Sequence, residues 1–103
     1  MQNYTKNDII KIASNLGISC IDDNWTGIDS ILPLIEKIRE DGAIFIIKFD
    51  GERNDPSDNG KYSFLIFGRP LNDINIKTDA NTLDEGLIYV IGKYADTVWD
   101  IEL

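Results

Sequence analysis

The first part of the chain carries a stripe of apolar residues at helical spacing. The stripe runs from Lys6 to Leu16 and comprises Ile9, Ile10, Ile12, Ala13 and Leu16. Apolar residues three and four positions apart share one face of a helix, so this segment is predicted to be an amphipathic helix. Thr5 and Asp8 stand at its start in the manner of a capping box, and Gly17 is placed to end it.

A second apolar stripe follows a polar linker at residues 18–27 (ISCIDDNWTG) and predicts a helix that ends before Gly42. Its apolar residues are Ile31, Leu32, Leu34, Ile35 and Ile38. Pro33 is tolerated only in the first turn of a helix, where its missing N–H would have no partner. Asp29 or Ser30 is therefore expected to cap this helix rather than Thr26.

The middle of the chain changes to patterns typical of β-strands. Residues 43–49 (AIFIIKF) are apolar on both faces except at Lys48, which predicts a central strand. Residues 61–67 (KYSFLIF) predict a second strand, and the polar connection at residues 50–60 is too long for a tight hairpin turn. Residues 74–77 alternate apolar and polar side chains, as expected of a half-buried edge strand.

A further helix is predicted after these strands. Thr82 with Glu85 three residues later has the pattern of a capping box. The apolar side of this helix is Leu83, Leu87, Val90, Ile91 and Tyr94. Residues 96–103 then form either an extension of the helix or a short extended segment. The predicted fold is one α+β domain over residues 1–103, with three helices packed on a three-stranded antiparallel meander in the order α-α-β-β-β-α.

The charge of the chain narrows the classes of partner. The sequence has 18 acidic and 10 basic residues, which gives a formal net charge of −8. This charge repels phosphate backbones and argues against direct binding of nucleic acid. A basic protein is the natural complement, because opposite charges speed encounter and discriminate among partners. The same acidity also serves solubility.

The cysteine content and the chain's start predict a cytoplasmic protein. Cys20 is the only cysteine, so no intramolecular disulfide can form, and its neighbours Ile18 and Ile21 predict a buried structural thiol. The N-terminus lacks the basic-then-apolar pattern of a signal peptide. No apolar run approaches the ~20 residues that a membrane span needs, so no membrane partner is expected.

Histidine is absent from all 103 residues. Its absence removes Ser-His-Asp triads, Cys-His dyads and most zinc sites. The glycines of the middle segment are isolated and fit no phosphate-binding pattern. We therefore expect no enzymatic activity and no cofactor.

The connection at residues 50–60 is rich in carboxylates. They are Asp50, Glu52, Asp55 and Asp58. Residues 55–60 loosely match the first six positions of a calcium loop, with oxygen-bearing side chains at positions one, three and five and glycine at six. Position twelve would be Ile66 instead of the required glutamate. A turn rich in Pro, Asn and Gly is the preferred interpretation, and a metal site remains the alternative.

Trp25 is the preferred candidate for an interface anchor. Tryptophan is enriched in binding hot spots, and Trp25 lies in the linker close to Asp22 and Asp23. These linker residues and the carboxylates of the connection form the predicted partner-binding set. The set is Asp22, Asp23, Trp25, Asp50, Glu52, Asp55 and Asp58.

The chain resembles the immunity proteins of bacterial toxin–immunity systems, especially those of contact-dependent growth inhibition. The resemblance rests on small size, acidity, the lack of catalytic groups, and the passage FDGERNDPSDNGKYSFLIFGRPL leading to the helix TLDEGLIYVIGKYADTVWD. It implies a one-to-one complex with a cognate toxin, most often a nuclease whose basic active site the acidic side chains would cover. The alternatives are a phage-encoded nucleic-acid mimic that inhibits a host defence enzyme, a carboxylate-loop metal-binding protein, and a subunit of a larger assembly.

Overall fold

The sheet of this protein has three antiparallel strands. They are β1 (Ala43–Phe49), β2 (Tyr62–Gly68) and β3 (Ile76–Ala80), and β2 lies between the other two. Leu65 of β2 lies opposite Ile46 of β1 and Lys77 of β3. The structure, a computed structural model, describes residues 3–53 and 60–103. The predicted α+β fold with an antiparallel meander is confirmed.

Strand β1 forms one edge of the sheet, so its predicted position at the centre is wrong. Its sequence is apolar on both faces, but only its inward face packs against helices. Ile44 and Ile46 on the outward face are 49% and 46% exposed. A strand apolar on both faces need not be central, because strand order is decided by contacts distant in sequence.

Within the described residues, four α-helices accompany the sheet. They are α1 (Lys6–Asn15), α2 (Gly27–Ser30), α3 (Leu32–Glu40) and α4 (Leu83–Tyr94). The three longer helices are the predicted ones, and α2 is a single additional turn. The chain after α4 continues as a π-helical turn at Ala95–Trp99, which corresponds to the predicted helix extension. No helix in residues 3–53 and 60–103 is long and apolar enough to cross a membrane.

Helix α1 begins with the predicted capping box, whereas α4 begins with only one of the two contacts predicted for it. The Thr5 N–H donates to Asp8 Oδ2 at 2.9 Å, and the Asp8 N–H donates to Thr5 Oγ1 at 3.2 Å, which completes the capping box of α1. At α4, the Glu85 N–H donates to Thr82 Oγ1 at 3.2 Å. These contacts satisfy N–H groups that have no partner inside the helix.

The start of α3 differs from the prediction. Neither Asp29 nor Ser30 caps it, because both belong to α2 and Ile31 occupies the N-cap position. The Ser30 hydroxyl instead donates to the Thr26 carbonyl at 2.8 Å. Pro33 does lie in the first turn, where its missing N–H costs no hydrogen bond.

The helices lie on one face of the sheet. Helix α3 packs on β1, α4 packs on β2 and β3, and α1 packs on α4. The largest fully buried side chains of this core include Trp25, Tyr94, Phe64, Ile9, Ile12, Leu34, Ile66 and Leu87. Removal of these apolar surfaces from water is the main stabilising contribution to the fold. The outward side chains of β1 stay exposed, so this face of the sheet lies open within the described residues.

A polar junction ties the end of α4 to the end of α3. Asp41 Oδ2 accepts from the Tyr94 hydroxyl at 2.8 Å and from Trp99 Nε1 at 2.7 Å. The rings of Tyr94 and Trp99 meet edge to face, with centroids 4.9 Å apart. Burial raises the pKa of Tyr94, and the hydrogen bond and charge of Asp41 act in the same direction. The hydroxyl therefore remains a donor at neutral pH.

The thiol of Cys20 is exposed, so the predicted buried position is wrong. Its neighbour Ile21, which is 8% exposed, occupies the core instead. The linker around these residues is neither helix nor strand. Apolar neighbours in an irregular segment do not determine which side chain points inward, because no period relates their directions.

Candidate functional site

Asp84, in the first turn of α4, holds the polar linker against the start of that helix. Its Oδ2 accepts from the Thr26 hydroxyl at 2.7 Å, and its Oδ1 accepts from the Gly27 N–H at 2.8 Å. Lys6 Nζ lies 3.2 Å from Oδ2. Burial acts to raise the pKa of Asp84, but these hydrogen bonds and Lys6 outweigh it and lower the pKa below its ordinary value. We call these contacts of Asp84 with Lys6, Thr26 and Gly27 the Asp84 clasp.

Trp25 is buried beside this clasp, so the expectation that its ring anchors a partner at the surface is wrong. The residue is 2% exposed. Trp25 Nε1 donates to the Lys6 carbonyl at 3.4 Å, while Lys6 Nζ donates to the Trp25 carbonyl at 2.6 Å. The ammonium also lies 4.9 Å from the centre of the indole ring. Trp25 thus fixes the linker to the start of α1.

Asp22 and Asp23 are exposed, as a partner-binding role requires. They lie in a turn in which the Trp25 N–H donates to the Asp22 carbonyl at 3.0 Å. The Asn24 N–H also donates to Asp22 Oδ1 at 3.2 Å. The buried Trp25 thus fixes one end of the turn that carries both carboxylates.

Asp50 organises the chain after β1 and is less available to a partner than expected. Its side chain is only 14% exposed and lies within 3.6 Å of Lys48 Nζ and 3.3 Å of Arg53 Nε. Its Oδ1 accepts from the Glu52 N–H at 3.0 Å. Both nearby cations compensate its charge within the protein. Glu52 itself is exposed. Asp55 and Asp58 of the predicted set lie outside the described residues.

The two groups of predicted acids belong to the same end of the sheet. The Asp50 N–H donates to the Lys61 carbonyl at 2.9 Å, which closes the ladder between β1 and β2 at this end. Gly60 lies directly against the backbone of Ala80, the last residue of β3. Helix α4 begins shortly after Ala80, and the Asp84 clasp brings the linker to its first turn. Both segments therefore attach near the end of the sheet where α4 begins.

We call Asp22, Asp23, Glu52 and Glu85 the acidic end. All four are exposed, and none forms an ion pair with another residue in the described part of the chain. The sequence pattern assigned Glu85 only to a helix cap, and it gave no role to the clasp residue Asp84. An exposed carboxylate that forms no ion pair within its own chain is available to pair with a cation of a partner.

The open face of the sheet is a second surface with a distinct character. Its side chains are Ile44, Ile46, Lys48, Ser63, Leu65, Phe67, Lys77 and Asp79. The Ser63 hydroxyl donates to Asp79 Oδ1 at 2.7 Å, and this hydrogen bond together with Arg53 lowers the pKa of Asp79. A shallow depression of about 280 Å³ lies over this charged side of the face. The face is apolar at one end and bears charged side chains of both signs at the other.

Carboxylates do not converge into a metal site in the part of the chain that the structure describes. Among residues 3–53 and 60–103, no group of three or more acidic or cysteine side chains could hold a metal ion. Residues 55–59 of the calcium-like sequence lie outside the described residues. The metal-binding alternative therefore stays a hypothesis about that segment.

No protein-family model, curated protein or solved structure matches this chain. Its function must therefore be inferred from its own surfaces and charges.

Proposed function

We propose that this chain is an immunity protein of the bacterial toxin–immunity type. It is a cytoplasmic, non-enzymatic inhibitor that binds one copy of a basic nuclease toxin and covers the active site of that toxin. The observation that carries the proposal is the acidic end, whose exposed carboxylates come from three separate parts of the chain and form no ion pair within the described residues.

The chemistry of a nuclease explains why such a surface would inhibit it. A nuclease holds the phosphates of its substrate with lysine and arginine side chains, which attract carboxylates as well. Carboxylates such as Asp23 and Glu52 would form ion pairs with these lysine and arginine side chains in place of the phosphates. Opposite charge also accelerates the encounter and makes the rate of association fall as salt rises.

The rigidity of the linker supports the same role. The Asp84 clasp and the buried Trp25 hold the turn that carries Asp22 and Asp23. A surface that is ordered before binding loses less conformational entropy in the complex. Trp25 therefore contributes to the proposed interface by positioning carboxylates and not by contacting the toxin.

The test begins with co-purification of the tagged protein with the product of the neighbouring gene, followed by a nuclease assay. The proposal requires a stoichiometric basic partner whose nuclease activity disappears in the complex. A partner without nuclease activity, or no partner at all, would contradict it.

Paired charge variants then test the acidic end itself. Asp23→Asn with Glu52→Gln removes two carboxylates there, and Glu40→Gln with Asp73→Asn removes the same two types from the opposite end of the sheet. The first pair is expected to slow association several-fold and to weaken its salt dependence, while the control pair changes both much less. Equal effects of the two pairs would show that net charge acts without a defined acidic surface.

A further inference from the structure

The two edges of the sheet expose different kinds of side chain. Strand β3 exposes the charged residues Lys77 and Asp79. Strand β1 exposes Ile44, Ile46 and Phe49 at 49%, 46% and 61%, and Lys48 is its only charged residue. Charged side chains discourage pairing at a sheet edge, whereas a long apolar edge is a template for another strand. The sheet is thus protected on the β3 side and open on the β1 side.

The register shows which backbone groups of β1 point away from the sheet. The Asp50 N–H donates to the Lys61 carbonyl, so this opposed pair is hydrogen-bonded. Hydrogen-bonded pairs alternate along an antiparallel ladder, so the residues that bond to β2 are Asp50, Lys48, Ile46 and Ile44. The remaining residues, Ala43, Phe45, Ile47 and Phe49, direct their N–H and C=O groups to the other side. No other strand of the described residues pairs with β1 there.

We propose that β1 is a self-association edge, on which the β1 strand of a second copy pairs antiparallel about a two-fold axis at Ile46. The sheets of the two copies then join into one continuous sheet. This register places Ile46 opposite the partner's Ile46, and it uses every residue of β1. The interface uses the residues of β1 and none of the four carboxylates of the acidic end, so the inference goes beyond the proposed function.

The backbone groups match in this register. Phe45 lies opposite the partner's Ile47, and Ala43 lies opposite the partner's Phe49. All of these residues direct their N–H and C=O groups away from β2, so each opposed pair can exchange both hydrogen bonds. In a register shifted by one residue, the free N–H and C=O groups of one copy would face residues of the other copy whose N–H and C=O groups already bond to β2.

The side chains match as well. The largest exposed side chain, Phe49, meets the smallest of the strand, the partner's Ala43. The only charge, Lys48, lies opposite the partner's Ile44, so no two like charges face each other directly. Beyond the strand, Asp50 falls opposite the partner's Gly42. The strand is therefore complementary to itself, which is the requirement for an isologous interface.

Long-range charge opposes this association. Each copy carries a formal charge of −8, and two such copies repel each other at low ionic strength. Salt screens that repulsion and leaves the strand pairing almost unchanged. Self-association should therefore strengthen with salt, whereas toxin binding through the acidic end should weaken.

Analytical ultracentrifugation of the whole chain tests the proposal. The mass is expected to rise with concentration from 11.6 kDa towards twice that value, and to rise further at high salt. Ile46→Lys should abolish the rise, because it sets two ammonium groups against each other across the axis. Ile74→Lys is the matched control, since Ile74 is 52% exposed and lies outside the strands. Urea unfolding confirms that each variant is folded.

A mixing experiment tests the register. Ile46→Lys and Ile46→Glu should each be monomeric alone, and an equimolar mixture should form a heterodimer, because opposite charges then meet at the axis. A wild type that stays monomeric at every concentration and salt level overturns the proposal. So does a dimer that Ile46→Lys weakens no more than Ile74→Lys. Protection of the β1 amides only after addition of a toxin would overturn it in favour of a strand from that partner.

Discussion

Gly86 of α4 lies directly against the ring of Phe64 in β2. A Cβ atom at position 86 would overlap the ring, and Phe64 is 1% exposed, so the ring has no open space to move into. We expect Gly86→Ala to destabilise the protein by about 1–3 kcal/mol, which is typical of overpacking in a core. Urea unfolding monitored by tryptophan fluorescence would measure the change in free energy.

Two further variants separate this steric effect from the general effect of replacing glycine with alanine. Gly51→Ala places a methyl group that has no atom of the described residues within 4 Å apart from Gly51 itself and its two chain neighbours, so it should change stability little. Phe64→Leu in the Gly86→Ala background should recover part of the loss, because the smaller side chain leaves room for the methyl group. Equal stability of Gly86→Ala and Gly51→Ala would show that α4 does not lie this close to β2.

Asp41 is expected to stabilise the junction of α3 with the end of α4. In Asp41→Ala the hydroxyl of Tyr94 and the indole N–H of Trp99 lose their acceptor. Tyr94 is fully buried, so the loss should cost about 1–3 kcal/mol of unfolding free energy. In a Tyr94→Phe background the same substitution should cost less, since one of the two donors is already gone. Additive costs in this double-mutant cycle would contradict the direct hydrogen bond.

The carboxylate of Asp84 makes the free energy of unfolding depend on pH in the acid range. Its pKa is lower in the folded protein than the ordinary value of 3.8, so its carboxylate stabilises the fold above that value. This contribution is lost as the pH falls through the lowered pKa of the folded state. Asp79 acts in the same direction, so Asp84 accounts for only part of the effect.

The comparison of wild type with Asp84→Asn measures that part. Asparagine can still accept the Gly27 N–H but carries no charge for Lys6. The free energy of unfolding should therefore fall less in Asp84→Asn than in the wild type when the pH is lowered from neutral to below the ordinary pKa of aspartate. Parallel pH profiles of the two proteins would exclude a role for the Asp84 charge.

Cys20 should react with a thiol reagent in the native protein. Its side chain is exposed, so a maleimide or a chromogenic disulfide should label one thiol per chain without denaturant. Labelling should leave the unfolding free energy nearly unchanged, because the thiol does not belong to the core. Labelling that requires urea would instead support the buried position expected from the sequence.

Local patterns were sufficient for much of the fold. The helical spacing of Ile9 and Ile12, and the cap formed by Thr5, predicted α1 correctly because helix formation depends on neighbours within one or two turns. The apolar pattern of β1 alone indicated a central strand and was misleading. The edge position of β1 follows instead from the order of the meander, in which β2 pairs with both β1 and β3.

The candidate site was predictable in type but not in its construction. Charge alone indicated Asp22, Asp23 and Glu52 as exposed acids. Nothing local indicated that Trp25 is buried, because its partner Lys6 is 19 residues away. Asp84 likewise had no local signal, since its contacts with Thr26 and Gly27 span 58 and 57 residues. Both features arise only after the chain has folded back on itself.

The Asp84 clasp has a consequence for the order of folding events. The segment from β1 to α4 is continuous in sequence, and each of its strands pairs with the next. The clasp joins the linker to this segment across a long stretch of chain. Closing this loop loses conformational entropy, and the contacts of the clasp offset that loss only once they have formed. We expect the clasp to form late, after the rate-limiting step. Loss of the clasp contacts would then accelerate unfolding while leaving the rate of refolding nearly unchanged, so the clasp contributes to the lifetime of the native state.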